Sequence, residues 1–198
     1  MEASRAAARA SARARILDAA VMLIAREGIN DVRVARIAMQ AGVSASLLHY
    51  HFASRDSLLA EALEHSYELA GDLRTNRREQ PTEAPARLRW MIDWCLPLPG
   101  HQHDDWMLWV ELWLHAGRRP ELRPTAARLY ARMHEWFDEA IAEGEASHEF
   151  RVEDRSRTVD HLLALLDGYG IRALIEDFSI ERAHEEIWAA IAPELGVH

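Results

Sequence analysis

Six of the seven tryptophans, Trp90, Trp94, Trp106, Trp109, Trp113 and Trp136, fall within one stretch of the 198-residue chain, and Tyr130, His134 and Phe137 lie in the same region. An indole face is electron-rich and attracts cations, so rows of such rings can cage a cationic or aromatic molecule if a carboxylate balances the charge. Asp167 and Asp93 are the carboxylates available for that task. Trp106, Trp109 and Trp113 are three and four residues apart, and Trp90 and Trp94 are four apart, so each set shares one face of a helix. Trp94, Trp109, Trp113, Tyr130, His134, Phe137 and Asp167 are therefore expected to line a site for a small organic ligand. The same rings also suit a filled apolar core, and at this stage both readings stay open.

Other chemistries find less support. His49-x-His51 and His101-x-His103-Asp104 have metal-ligand spacing, but no third ligand completes either set, and no metal is expected. Cys95 is the single cysteine. It lies on an apolar run with no base beside it, which points to an inert thiol and a reducing, cytoplasmic setting. Gly168 and Gly170 mimic part of a phosphate loop, yet no strand precedes them, so no dinucleotide cofactor is expected. No segment is apolar for long enough to cross a bilayer. Binding, rather than catalysis, is the chemistry these residues carry.

A second set of candidates is electrostatic. The chain has a net charge of −9, but residues 1–55 carry eight arginines against four carboxylates, +4 in all, leaving −13 for the remainder. A basic end on an acidic body assigns contact with phosphates to the first quarter alone. Within it, Arg33, Arg36 and Arg55 flank the stretch Gly42–Tyr50, where a glycine precedes Ser44, Ala45, Ser46 and Leu47, and where the polar rings of His49 and Tyr50 follow.

Helices must position both sets. Ile16, Ala19, Ala20, Leu23 and Ile24 repeat with helical period up to Gly28. Asp31 is expected to cap a short second helix ending near Ala41, and Ser44 a third ending near His51. Phe52 should fall into the core of the three. Ser54 opens a long connector to about residue 78, and further helices are expected from about Glu83, from Asp104 after a loop holding His101 and His103, then near Pro124 to Gly144, 155–177 and 181–192. The fold class is all-α with about nine helices: a helix-turn-helix domain at 1–53 and a helical ligand-binding and dimerisation domain at 54–198.

The motif AGVS, the brief helix ending in HYHF and the following SRDSLL resemble the TetR family of one-component bacterial regulators. DWMLWVELWLHAG, the segment around GEASHEFR and LLALLDGYGIRALI are similar, more loosely, to its betaine-regulator-like branch. The resemblance implies a homodimeric repressor that binds a double-stranded operator and leaves it when a small organic ligand enters the body. It also implies packing of two copies through the last two helices, here with Leu162, Leu166, Tyr169, Ile187, Trp188 and Ile191 as the expected seam. The chain departs from the family in two places: Val32-Arg33 stands where a threonine pair is usual, and His49-Tyr50 reverses the usual order of the two rings. A helix this short enters the major groove by its first turns, so Ser44, Ala45, Ser46 and Leu47 should face bases, and Arg33, Arg36, His49, Tyr50 and Arg55 phosphates. Two rivals remain open: a helical enzyme using the Trp-rich region, and a protein-interaction adaptor that has lost DNA binding.

Overall fold

The computed structural model describes residues 2–75, 80–176 and 178–197, with side chains of 2–10, 69–75 and 101 left out of the description. Arg5 and Arg9 of the basic end, Ala70 of the connector and the connector's expected last turn at 76–78 lie outside what is described. Among the described residues the regular structure is helical: α1 (Glu2–Glu27), α2 (Val34–Gln40), α3 (Ala45–His51), α4 (Arg55–Thr75), α5 (Ala84–Trp94), α6 (His101–Ala116), α7 (Arg123–Ala146), α8 (Arg155–Ile175) and α9 (Ile180–Ile191), with a 3-10 turn at Pro120–Leu122 before α7. No described helix is long and apolar enough to cross a membrane.

The chain divides into two compact units. The first comprises Met1–Asp72 and His103–Ala127, the second Leu73–Gln102 and Arg128–His198. In the first unit, Ile16, Ala20, Leu23 and Ile24 of α1, Ile37 and Ala38 of α2, Leu48 of α3 and Phe52 are buried, as their spacing predicts. Gly28 ends α1 with φ +79°, a conformation that costs an L side chain dearly. The α2 start differs from expectation. Asp31 lies in the preceding turn, and Arg33 occupies the N-cap with extended backbone and no side-chain hydrogen bond. Ser54 behaves as expected: its Oγ accepts from the Ser57 N–H at 3.0 Å, and its own N–H donates to Ser57 Oγ at 3.0 Å. Leu58, Leu59, Ala62 and Leu63 of α4 are buried with Leu108 and Leu112 of α6. α6 starts a turn earlier than expected, so that His101 and His103 belong to a helix rather than a loop. Gly100, at φ +110°, completes the turn that precedes it, and nothing in His-Gln-His prevents helix from beginning there.

In the second unit, α5, α7, α8 and α9 surround one apolar core containing Leu88, Met91, Ile92, Phe137, Ile141, Val159, Leu163 and Leu195. Asp154 caps α8 by accepting from the Arg157 N–H, and Ser179 caps α9 by accepting from that of Arg182. The α7–α8 turn is held by Arg155, whose guanidinium bonds Asp138 at 2.7 Å and Glu145 at 3.0 Å. Those bonds favour its charged form still further. Phe150 packs over Gly144, where a Cβ would collide with the ring. The same core corrects the expected seam between copies. Leu162, Ile187 and Ile191 are completely buried, Leu166 nearly so, and Trp188 lies under Arg89, 4.2 Å from its ring centre. They hold one copy together. α8 is apolar on more than one side, and periodicity alone cannot say which side meets its own chain. Tyr169 is half-buried and stacks on Phe178 at 5.7 Å. The outward residues of α8 are Asp160, His161, Ala164, Gly168 and Arg172, with Ile175 at 74% exposure.

Candidate nucleic-acid interface and effector site

The turn between α2 and α3 is built from backbone geometry. Gly42 has φ +65° and nothing within 4 Å of where a Cβ would stand, so it is required by conformation and not by space. The Val43 N–H donates to the Ala38 carbonyl at 2.9 Å, closing α2 with the six-to-one bond typical of helix ends. Ser44 Oγ accepts from the Leu47 N–H at 3.1 Å and starts α3. Leu48 and Phe52 then anchor that helix inward. Ser44, Ala45, Ser46, His49 and Tyr50 are left exposed and Leu47 half-buried, with Tyr50 at 68% exposure. The seven-residue helix thus turns outward a face that is small at its start and carries two polar rings at its end.

The flanking arginines are exposed but not idle. Arg33 sits at the first turn of α2. Arg36 Nη1 donates to Glu27 Oε2 at 2.7 Å, and Arg55 Nη1 donates to the Asn30 carbonyl at 2.9 Å. Each of these uses one of the five N–H donors of a guanidinium and leaves the others available to phosphate oxygens. Sequence reasoning missed Arg13, which pairs with Glu61 and lies 5.8 Å from the centre of the Phe52 ring, tying α1 to α4 and α3. No pattern in the sequence pairs residues so far apart.

The expected effector residues are distributed over both units. Trp109 and Trp113 belong to α6 in the first, half-buried with ring centres 6.0 Å apart, and Trp113 also meets Trp106 edge-on at 5.8 Å. Trp94, Tyr130, His134, Phe137 and Asp167 belong to the second. There Trp94 stacks on Trp90 at 5.6 Å. Tyr130 of α7 and Asp167 of α8 are brought together, the phenol donating to Asp167 Oδ2 at 2.6 Å. Burial pushes the Asp167 carboxyl above its ordinary value, and the tyrosine bond only partly opposes this. Among the described residues no arginine or histidine pairs with it. Two expectations need correction. Phe137 is completely enclosed in the apolar core, where its size makes it packing. His134 turns to the outer edge of α8, 3.4 Å from Ser156 Oγ and 3.7 Å from Asp160, two helical turns before Asp167.

Asp93, the other candidate counter-ion, is taken by His184 Nδ1, while Arg89 Nη1 lies 3.4 Å from His184 Nε2. That buried histidine was not singled out from the sequence, since nothing local marks its partner on α5. A cleft of about 300 Å³ opens between Arg15, Asp18, Ala19, Met22, Gln40 and Ala41, and it shares no residue with the aromatic group. Among the described residues no group of three or more ligating side chains could hold a metal.

The comparisons with known proteins agree on a family. Residues 16–62 match the family described as bacterial regulatory proteins, tetR family, and residues 84–195 the family described as BetI-type transcriptional repressor, C-terminal. The HTH-type transcriptional regulator BetI 1 of Chromohalobacter salexigens is 26% identical over 190 residues, covering 92% of this chain and 90% of that protein. BetI of Brucella anthropi is 30% identical over 164 residues, covering 81% and 80%. Among solved structures, a transcriptional regulator from Saccharomonospora viridis in complex with choline superposes with a TM-score of 0.81 at 32% identity, covering 92% of this chain and 96% of that one. A TetR-family regulator from Rhodococcus sp. gives 0.83 at 30% identity, covering 94% and 99%. With an AGVS turn and capped short helix at one end and a BetI-type helical region making up most of the rest, the chain belongs to the TetR family of transcriptional regulators.

Proposed function

We propose that this regulator is a repressor released from its operator by a small organic cation, with Asp167 as the counter-charge and Tyr130 holding that carboxylate in place. The half-buried Asp167 without a basic partner carries the reading: a carboxylate kept from water at a cost, with only a neutral donor, is what a permanent cation relieves. The stacked Trp90–Trp94 pair supplies aromatic surface in the same unit, and the choline complex of the Saccharomonospora relative supports a quaternary ammonium as the ligand class.

In this reading residues 1–53 dock on DNA and 54–198 hold the ligand and the second copy. Ser44, Ala45, Ser46 and Leu47 meet base edges, with weak direct readout because they are small, and Arg33, Arg36, His49, Tyr50 and Arg55 meet phosphates. The dimer forms on the outward side of α8 and α9, with Tyr169 at its border. Gly168 supports this placement: its missing side chain leaves open space that no described residue fills. Asp167→Asn in the purified protein tests the ligand assignment. Choline should release wild-type protein from the DNA upstream of its own gene, and the variant should bind that DNA equally well but need at least tenfold more choline. Equal release of both proteins by choline would remove Asp167 from the site.

A further inference from the structure

The corner that joins α1 to α2 is gripped residue by residue. Glu27 is held by Arg36 of α2, and the Asn30 carbonyl by Arg55 of α4. Between them stands Gly28, and it faces α6: a Cβ at this position would lie 2.9 Å from Glu111 Oε1. Glu111 is not a surface residue that happens to approach. Its side chain is 16% exposed, and one turn later on the same helix lies His115, at 6%, with its Nε2 3.3 Å from Glu111 Oε2. Those two facing atoms are buried, within ion-pair distance of each other but without the geometry of a hydrogen bond, and no other described residue bonds them. Placing a carboxylate and an imidazole in such surroundings is unfavourable, and packing an apolar pair there would be easier. Selection for stability alone does not explain them.

We infer that Glu111 is a positioning residue for DNA binding, its carboxylate steered by His115 against Gly28 so that α6 sets where the α1–α2 corner, and with it the helix-turn-helix, comes to rest. Three features favour this. The contact is close: φ +79° strains any side chain at position 28, and a Cβ there would make the Glu111 carboxylate give way. The corner carries α2 directly, and α2 packs on α3. α6 is further tied to the same unit at both ends, through Asp105 with Ser66 of α4 and through Arg119, just past α6, with Asp56 of α4. A displacement of α6 therefore cannot leave the corner where it was. The inference rests on the regulator function of the family and is independent of which ligand the second unit takes.

The test separates positioning from stability. Wild type, Glu111→Ala and Glu111→Gln are titrated against a labelled fragment of the DNA upstream of the gene and against a scrambled fragment of equal length, with melting curves for each protein. Operator binding needs two correctly placed helix-turn-helix units, whereas scrambled DNA needs only charge. Glu111→Ala is expected to lower operator affinity at least fivefold and leave the scrambled fragment within twofold. Glu111→Gln, which keeps the reach of the side chain, should restore most of the loss. Unchanged or higher operator affinity in Glu111→Ala overturns the inference, as does an equal loss on both fragments or a Gln variant no better than Ala. If Glu111→Ala does not fold, Glu111→Asp, one methylene shorter, takes its place under the same criteria.

Discussion

Asp167 shows how a single side chain links stability to binding. Because burial raises its pKa in the folded state, the folded protein binds the proton more tightly than the unfolded chain does, and stability declines as pH rises through that raised value. The handicap grows as the buried carboxyl ionises and disappears below the unfolded value near 3.8. Asp167→Asn should therefore melt higher than wild type where the carboxyl is ionised, and the difference should vanish in acid. A melting series from pH 7 down to pH 3 checks it, and a variant that melts lower than wild type at every pH would contradict the burial argument. A cation held by the carboxylate must also bind less tightly as pH falls through the same range. Sequence singled out Asp167 as a charge near aromatic rings, whereas its pairing with Tyr130, and the capture of Asp93 by His184, depend on helices meeting across most of the second unit. What His134 and Phe137 pack against was hidden for the same reason: spacing places residues on a face but does not say what that face meets.

At the scale of elements, the reading helix depends on its ends. α3 has seven residues, too few to persist alone, and it is held by the Ser44 cap, the buried Leu48 and the Phe52 anchor. Ser44→Ala removes the bond to the Leu47 N–H and should cost about 1 kcal/mol. Because the proposed docking also sets Ser44 against base edges, operator affinity should fall together with melting temperature; an unchanged melting temperature would show that the cap bond does not hold the helix. Boundaries marked by Ser or Gly were legible, as at Ser44, Ser54 and Gly28. Those without such a mark were not: α6 begins at His101, and α2 begins after an uncapped Arg33. For α8 the existence of the helix was legible but its inward side was not, because Leu162 and Leu166 compete with Ala164 and Gly168 only once partners are known.

For the whole molecule, charge and symmetry make the prediction. The chain has no lysine, its 23 Lys-plus-Arg positions all being arginine, so in the proposed docking the permanently charged phosphate contacts come from planar guanidinium forks, beside the polar rings of His49 and Tyr50. If Arg33, Arg36 and Arg55 of two copies neutralise about six phosphates, the logarithm of operator affinity should fall with the logarithm of salt at a slope of about −5. Arg55→Ala, which removes two contacts per dimer, should flatten the slope to about −4. An unchanged slope would take Arg55 off the DNA. Gly168→Arg, placing bulk on the open side of α8, should yield monomers by sedimentation and cost operator affinity far more than affinity for scrambled DNA; a variant that sediments as wild type would move the seam elsewhere. The half-buried carboxylate of Asp167, held by a neutral phenol, reaches beyond DNA. Empty copies carry its burden and cation-filled copies do not, so in a growing cell the filled regulator should survive degradation longer, and the effector would raise the number of repressor molecules while lowering the hold of each.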